Sequence, residues 1–359
     1  MRTLTLRELN RATLARQLLL RRHRLGVARA AERVGGIQAQ WPPSPYIGLW
    51  SRLESFRPEL LVRAVARAEV VKATLMRTTL HLVSAPDYLA YAGIYRERRI
   101  AELERQLATL GEEADFARDG QRVAEYAAER PSTRPELLAL LGRPRLRLED
   151  RRPWLAWYGL AAHAGLVAGP SSSTWRAHTA GGTYVPARSW LGADPARGGP
   201  EAVSHLVRRY LAAFGPASRP DIAQWTGLPL GVLDEGLARI RLRRFRDESG
   251  RELHDVPRAA LPPGDTPAPP RFLPRWDSLL LAHDVRTRVL PDEHRQAVIA
   301  RNGDVPETFL VDGLVAGRWS FVAGRVDLEP FAPLPRAARR AVEEEARRLA
   351  SFLREHGPS

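Results

Sequence analysis

Two glutamines separated by one alanine, Gln38 and Gln40, sit between a glycine pair and a proline-rich run in the stretch GGIQAQWPPSPYIGLWSRL. A carboxamide does not ionise near neutral pH and binds metals poorly, yet its carbonyl accepts hydrogen bonds and its NH2 donates two. Residues two apart point the same way only in an extended chain; on a helix they diverge by about 200°. In an extended segment both amides face one side, with Ala39 turned inward. Such a pair can position a water and place partial negative charge near a cationic transition state. It is no strong general base, so the substrate needs a leaving group already activated, such as a purine made cationic by N7 alkylation. The competing reading is that both amides cap a helix or bond to backbone.

Other chemistries are excluded by residue type. There is no cysteine, hence no disulfide, thiolate nucleophile or Cys-ligated metal. The 9 histidines are scattered without a His-Glu-x-x-His pair, so no metal is expected. No phosphate-binding glycine loop or dinucleotide fingerprint occurs, and no cofactor is expected. The serines of GPSSST lack a nucleophile elbow and read as a solvated loop. Only Lys72, the sole lysine, and the N-terminal amine could form a Schiff base; Lys72 reads as a solvated structural residue between helix and wing, which disfavours strand-nicking chemistry.

A formal charge of +14, carried almost entirely by arginine, favours a polyanionic partner. GC-rich coding explains arginine over lysine, but less easily the net excess. No segment approaches the ~18 apolar residues of a membrane span, and the N-terminus does not read as a signal peptide. A cytoplasmic, nucleoid-associated, monomeric protein is expected.

The elements that must position these residues read as α+β: mainly helical, with small β wings. TLRELNRATLARQLLL has helical leucine spacing and a Thr5/Glu8 capping box. GVARAAERVGGIQ is a short helix ended by glycines, RPELLVRAVARAEVVKA a third helix, and TLMRTTLHLVSAPDY one or two strands. This is the order of a winged helix. The pattern recurs at 121–170, where Ser132 or Thr133 caps a helix, and again at 201–245, where TGLP is the turn of a helix-turn-helix and Ser249-Gly250 turns a hairpin wing. The predicted organisation is winged-helix units at 1–95, 96–200 and 201–262, a β-rich region at 263–335 and a C-terminal helix at 336–359. Such units also serve as protein-interaction modules; three in tandem on a basic chain favour a duplex.

GGIQAQWPPSPYIGLWSRL, RTTLHLV, FLPRWDSLLLAHDVRTRVLP and FLVDGLVAGRW, in that order, resemble the AlkZ-like family of winged-helix DNA glycosylases across nearly the whole chain. Gln38-Ala39-Gln40 matches the family's Gln-x-Gln catalytic motif. The resemblance implies hydrolysis, without strand nicking, of the N-glycosidic bond of bulky N7-alkylated guanines in double-stranded DNA. It further implies interstrand-crosslink unhooking in some members and self-resistance in antibiotic producers. A noncatalytic DNA-binding regulator and a protein-interaction scaffold are the alternatives.

Supporting residues follow from position. Arg77, Thr79 and His81 alternate onto one strand face, where they can reach phosphates or the site, although His81 equally suits a core. Asp277 and His283 can form a structural network, with Arg275, Arg286 and Arg288 available to DNA. Trp41 borders the lesion or buries a hinge, and Gly35 and Gly36 permit the turn.

Overall fold

In the computed structural model, which describes residues 1–142, 147–170 and 182–357, a strand at the N-terminus feeds a run of helices. The serines of GPSSST lie outside the described residues. β1 (Arg2–Leu4) precedes α1 (Leu6–Arg16), whose Thr5 and Glu8 form the expected reciprocal cap. α2 (Val27–Arg33) ends at Gly35 and Gly36, both at positive φ, +77° and +94°. A Cβ on Gly36 would lie 2.9 Å from Val83 Cγ1, so this turn requires glycine on two counts. β2 (Ile37–Gln38) follows, then α3 (Ser44–Arg52) and α4 (Pro58–Ala66). α3 is absent from the sequence reading. Its prolines suggested a turn, but they cluster at the first turn of a helix, where proline lacks only an N–H that would be unbonded anyway.

The helix expected over RPELLVRAVARAEVVKA stops early, because β-branched Val70 and Val71 already belong to β3 (Val70–Thr74), which pairs antiparallel with β4 (Leu80–Ser84). Lys72 therefore lies within a strand rather than between helix and wing. α5 (Ala85–Leu110) is the longest described helix, capped by Ser84 and closed by Gly111 at φ +61°. After it come α6 (Phe116–Glu129), β5 (Ser132–Thr133), α7 (Arg134–Ala139), α8 (Arg147–Arg151), α9 (Pro153–His163), β6 (Leu166–Ala168), β7 (Thr183–Pro186) and α10 (Ala187–Leu191). Thr133 caps α7 with Glu136 completing the box.

Next stand α11 (Pro200–Phe214), α12 (Arg219–Thr226) and α13 (Leu230–Leu237), with the hairpin of β8 (Arg243–Asp247) and β9 (Glu252–Asp255) behind them. The turn between α12 and α13 is made by Gly227 at φ +71°, and the hairpin turns at Gly250, φ +84°. β10 (Arg271–Leu273), α14 (Arg295–Val298), β11 (Thr308–Val311), β12 (Leu314–Val322) and β13 (Arg325–Pro330) lead to α15 (Arg336–His356).

Among the described residues, three sheets tie these pieces together. The order β2-β4-β3-β6-β7-β5 joins strands of the first two expected units into one six-stranded sheet. β1 pairs parallel with β8, stitching the N-terminus onto the β8–β9 hairpin. The β-rich region is the four-stranded meander β10-β11-β12-β13; α15 packs its apolar stripe with Phe272, Phe309 and Trp319 of that meander and stacks Phe352 on Trp50 of α3 at 5.9 Å between centroids. The fold is α+β, as expected.

Candidate active site

The two faces of the six-stranded sheet sort the candidate residues. Ile37 and Ala39 join Val70 and Leu82 in one core cluster, while Ala73 and Val83 belong to another on the opposite face. Strand alternation then turns Gln38 and Gln40 to the second face, as the extended reading requires. The ladder confirms the register: Gln38 stands opposite His81, which stands opposite Ala73. Ala39 N–H donates to Leu80 O at 2.8 Å, prolonging the pairing beyond β2.

Each amide is anchored by its carbonyl. Arg77 Nη2 donates to Gln38 Oε1 at 3.1 Å, and Leu80 N–H donates to Gln40 Oε1 at 3.1 Å. A guanidinium and a backbone N–H have nothing but donors to offer, so each Oε1 must be the end that faces them. Both NH2 groups therefore point away from these anchors, and neither Nε2 bonds to another described residue. Gln38 is 5% exposed and Gln40 is exposed, so the pair straddles the protein boundary. The backbone-bonding alternative is thus half right for Gln40: its oxygen serves the chain, its nitrogen does not.

Arg77 was expected on a strand face beside Thr79 and His81, but it occupies the tight turn between β3 and β4 at φ +52°. The turn is closed by Leu75 N–H to Thr79 O at 3.0 Å and Thr79 Oγ1 to Met76 O at 3.0 Å. Arg77 Nη1 donates to Trp225 O at 2.7 Å, and Tyr95 Oη to Thr226 O at 2.9 Å. Those carbonyls end α12, where the helix dipole favours a cation. A Cβ on Gly227 would lie 3.2 Å from Arg77 N, so the helix-turn-helix presses directly on this turn. Burial lowers the Arg77 pKa to about 10, with Arg286 nearby acting in the same direction.

His81 is a core residue. Its Nδ1–H donates to Thr79 O at 3.0 Å, its Nε2 is buried without a partner, and burial with the Arg77 charge lowers its pKa to about 3. It is neutral and offers no proton donor to a substrate. Trp41 is half-buried against the core cluster that holds Ile37.

The C-terminal candidates separate from this site. Asp277 is buried in a two-pronged pair with Arg52 (3.0 and 2.9 Å) and caps Leu279 N–H at 3.0 Å. His283 does not join it: its Nε2–H donates to Phe214 O at 3.1 Å, and burial pushes its pKa down. Arg288, expected to be available to DNA, is 3% exposed and donates to Pro216 O at 3.0 Å, so it has no surface to offer a phosphate. Arg275 is paired with Asp304 at 2.9 and 2.5 Å and stacked over Trp276. Arg286 is half-buried, forms no ion pair among the described residues and is the one of these arginines that contributes to the field at Arg77. The sequence reading missed Arg52, Asp304 and Trp225, since the first two are visible only as partners and the third acts through its backbone. Among the described residues no cluster of His, Asp and Glu could hold a metal, and no helix is long and apolar enough to cross a membrane.

A carboxamide pair thus sits at a sheet edge, braced by a helix-turn-helix, in a chain of the DNA glycosylase class. The chain belongs to the AlkZ-like family: the family model described as DNA glycosylase AlkZ-like matches residues 31–352. An interstrand DNA cross-link repair glycosylase of Streptomyces sahachiroi is 26% identical over 370 residues, 93% of each protein. The solved structure of the Streptomyces sahachiroi DNA glycosylase AlkZ shares the fold, with a TM-score of 0.80 at 23% identity over 99% of this chain and 98% of that one.

Proposed function

We propose that this DNA glycosylase hydrolyses the N-glycosidic bond of bulky N7-alkylated guanines in duplex DNA, and that Gln38 and Gln40 carry the reaction. The supporting observation is the fixed direction of both amides. Each NH2 is free to donate to an acceptor on the departing purine. Each anchored carbonyl keeps a second lone pair, through which the pair holds the attacking water and offers partial negative charge to the oxocarbenium-like sugar. N7 alkylation makes the base cationic, so it leaves as a neutral purine without a strong general acid.

The reaction stops at the abasic site. Lys72 pairs with Leu82 and is therefore on the opposite face of the sheet from Gln38, which pairs with His81. The sole lysine does not reach the sugar that the amides address. The name of the Streptomyces sahachiroi relative supports unhooking of interstrand crosslinks as a further substrate class. Such excision would protect a cell that makes a DNA-alkylating product, and the enzyme would act as a cytoplasmic monomer at the nucleoid.

The test is incubation of wild type and the Gln38→Ala/Gln40→Ala double variant with oligonucleotides carrying different N7-guanine adducts, abasic sites being scored by alkaline cleavage. Wild type should release adduct and the double variant should not, while both bind duplex. Equal, slow release by the two proteins would leave the noncatalytic DNA-binding reading in its place.

A further inference from the structure

On the far side of Arg77 a cleft of ≈470 Å³ opens between α5 and α9, lined by Arg77, Arg98, Arg99, Arg105, Trp154 and Tyr158 among others. Its charge is one-sided. Glu102 is the only carboxylate in the lining, and Arg105 already holds it. Arg99 donates to Thr74 O, and Arg77 to Trp225 O and Gln38 Oε1, all uncharged oxygens. Neither of these, nor Arg98, forms an ion pair among the described residues. Burial lowers the pKa of both Arg77 and Arg99 to about 10. A desolvated cation without a counter-ion is costly, and an entering anion removes that cost.

The lining also carries aromatic rings, Trp154 and Tyr158. Trp154 is 50% exposed at the start of a helix whose Leu155 and Trp157 are buried, and it lies 6.4 Å from Tyr158 between ring centroids. Cations beside an exposed aromatic face, here Trp154 with the partly buried Tyr158 next to it, bind a phosphate that carries a ring, which is the chemistry of a nucleotide. Because Arg77 lines the cleft and also bonds Gln38, the two sites share one guanidinium as their wall.

We propose that this cleft seats one unstacked nucleotide of the substrate DNA, next to the position the glutamines act on. The phosphate rests on Arg98 and Arg99 and the base on Trp154 and Tyr158. The proposal rests on the reading that DNA is the substrate, not on excision of any particular adduct.

The test measures binding of the full chain by fluorescence anisotropy to three lesion-free DNAs: a paired duplex, the same duplex with one unpaired base, and one with an abasic residue in place of that base. The duplex with the unpaired base should bind more tightly than the other two, by about 5- to 150-fold for one stacked base. Trp154→Ala should erase that preference and Trp154→Phe restore part of it. Arg98→Ala should reduce the slope of log K against log salt by about 0.9 on all three DNAs. Equal affinities of wild type for the three, or a preference that survives Trp154→Ala, would overturn the proposal. No excision is read, so that failure leaves the glycosylase reading standing, and loss of excision with the preference intact sinks only the latter.

Discussion

Arg77 donates to Gln38 Oε1 at 3.1 Å, and by doing so it fixes the direction in which the NH2 of that amide points. Gln38→Glu tests the consequence. The carboxylate is the same size and forms an ion pair with Arg77, so the variant should fold as well as wild type. It presents a second oxygen where the NH2 stood. Loss of one preorganised donor costs a factor of about 10²–10³ in rate. Single-turnover release of an N7-alkylguanine should fall by that much with duplex affinity unchanged. An undiminished rate would mean that only the carbonyl matters.

A guanidinium is needed to hold both ends of this arrangement. Nη1 reaches Trp225 O and Nη2 reaches Gln38 Oε1, two acceptors on different elements. Lysine is a single point charge and does not span them in the same geometry. Arg77→Lys should therefore lower the excision rate by roughly 10-fold or more and lower stability by about 1.5–3 kcal/mol, the range for hydrogen bonds to a charged group. Chemical denaturation and single-turnover kinetics on the same samples separate the two effects.

The amides were legible from the chain and their bracing was not. A period of two across Ile37-Gln38-Ala39-Gln40, after a glycine pair that breaks a helix, is a local signal, and the structure has Ile37 and Ala39 in one core with the glutamines turned the other way. The helix-turn-helix at 201–245 was equally local, since its caps, turn glycine and apolar spacing lie within one segment. By contrast, the Arg77 turn depends on Gly227 and the Trp225 carbonyl, about 150 residues downstream, and no spacing rule links them. The joining of strands from two units into one sheet is likewise long-range. Alternation placed Arg77 on a strand because a tight turn at positive φ needs no glycine when hydrogen bonds and packing close it.

Asp277 separates a structural role from a DNA-binding one. Its carboxylate is buried against Arg52 in a two-pronged pair, so Asp277→Ala leaves a buried guanidinium uncompensated. Breaking such a pair costs about 3–5 kcal/mol. The variant should unfold at markedly lower denaturant, while the folded fraction, assayed at low temperature, excises adduct and binds DNA at the wild-type level. A selective loss of DNA affinity in a fully stable variant would return Asp277 to the interface.

His81 gives the pH dependence a definite sign. Its folded pKa, about 3, lies below the ordinary value of 6.5, because burial and the Arg77 charge oppose protonation. Between these values the unfolded chain takes up a proton that the native one refuses. Stability is therefore fully present above about pH 6.5 and falls as the pH drops, by up to about 1.4 kcal/mol per pH unit for this group. His283, buried beside Arg288, is shifted in the same direction and adds to the slope. Replacing His81 by leucine removes one titrating group and leaves Thr79 O bonded to Leu75 N–H. Urea unfolding at pH 7 and pH 5 should show a smaller loss for His81→Leu than for wild type. An identical loss in the two proteins would mean that His81 takes up its proton equally in the native and unfolded chains, and would overturn this assignment.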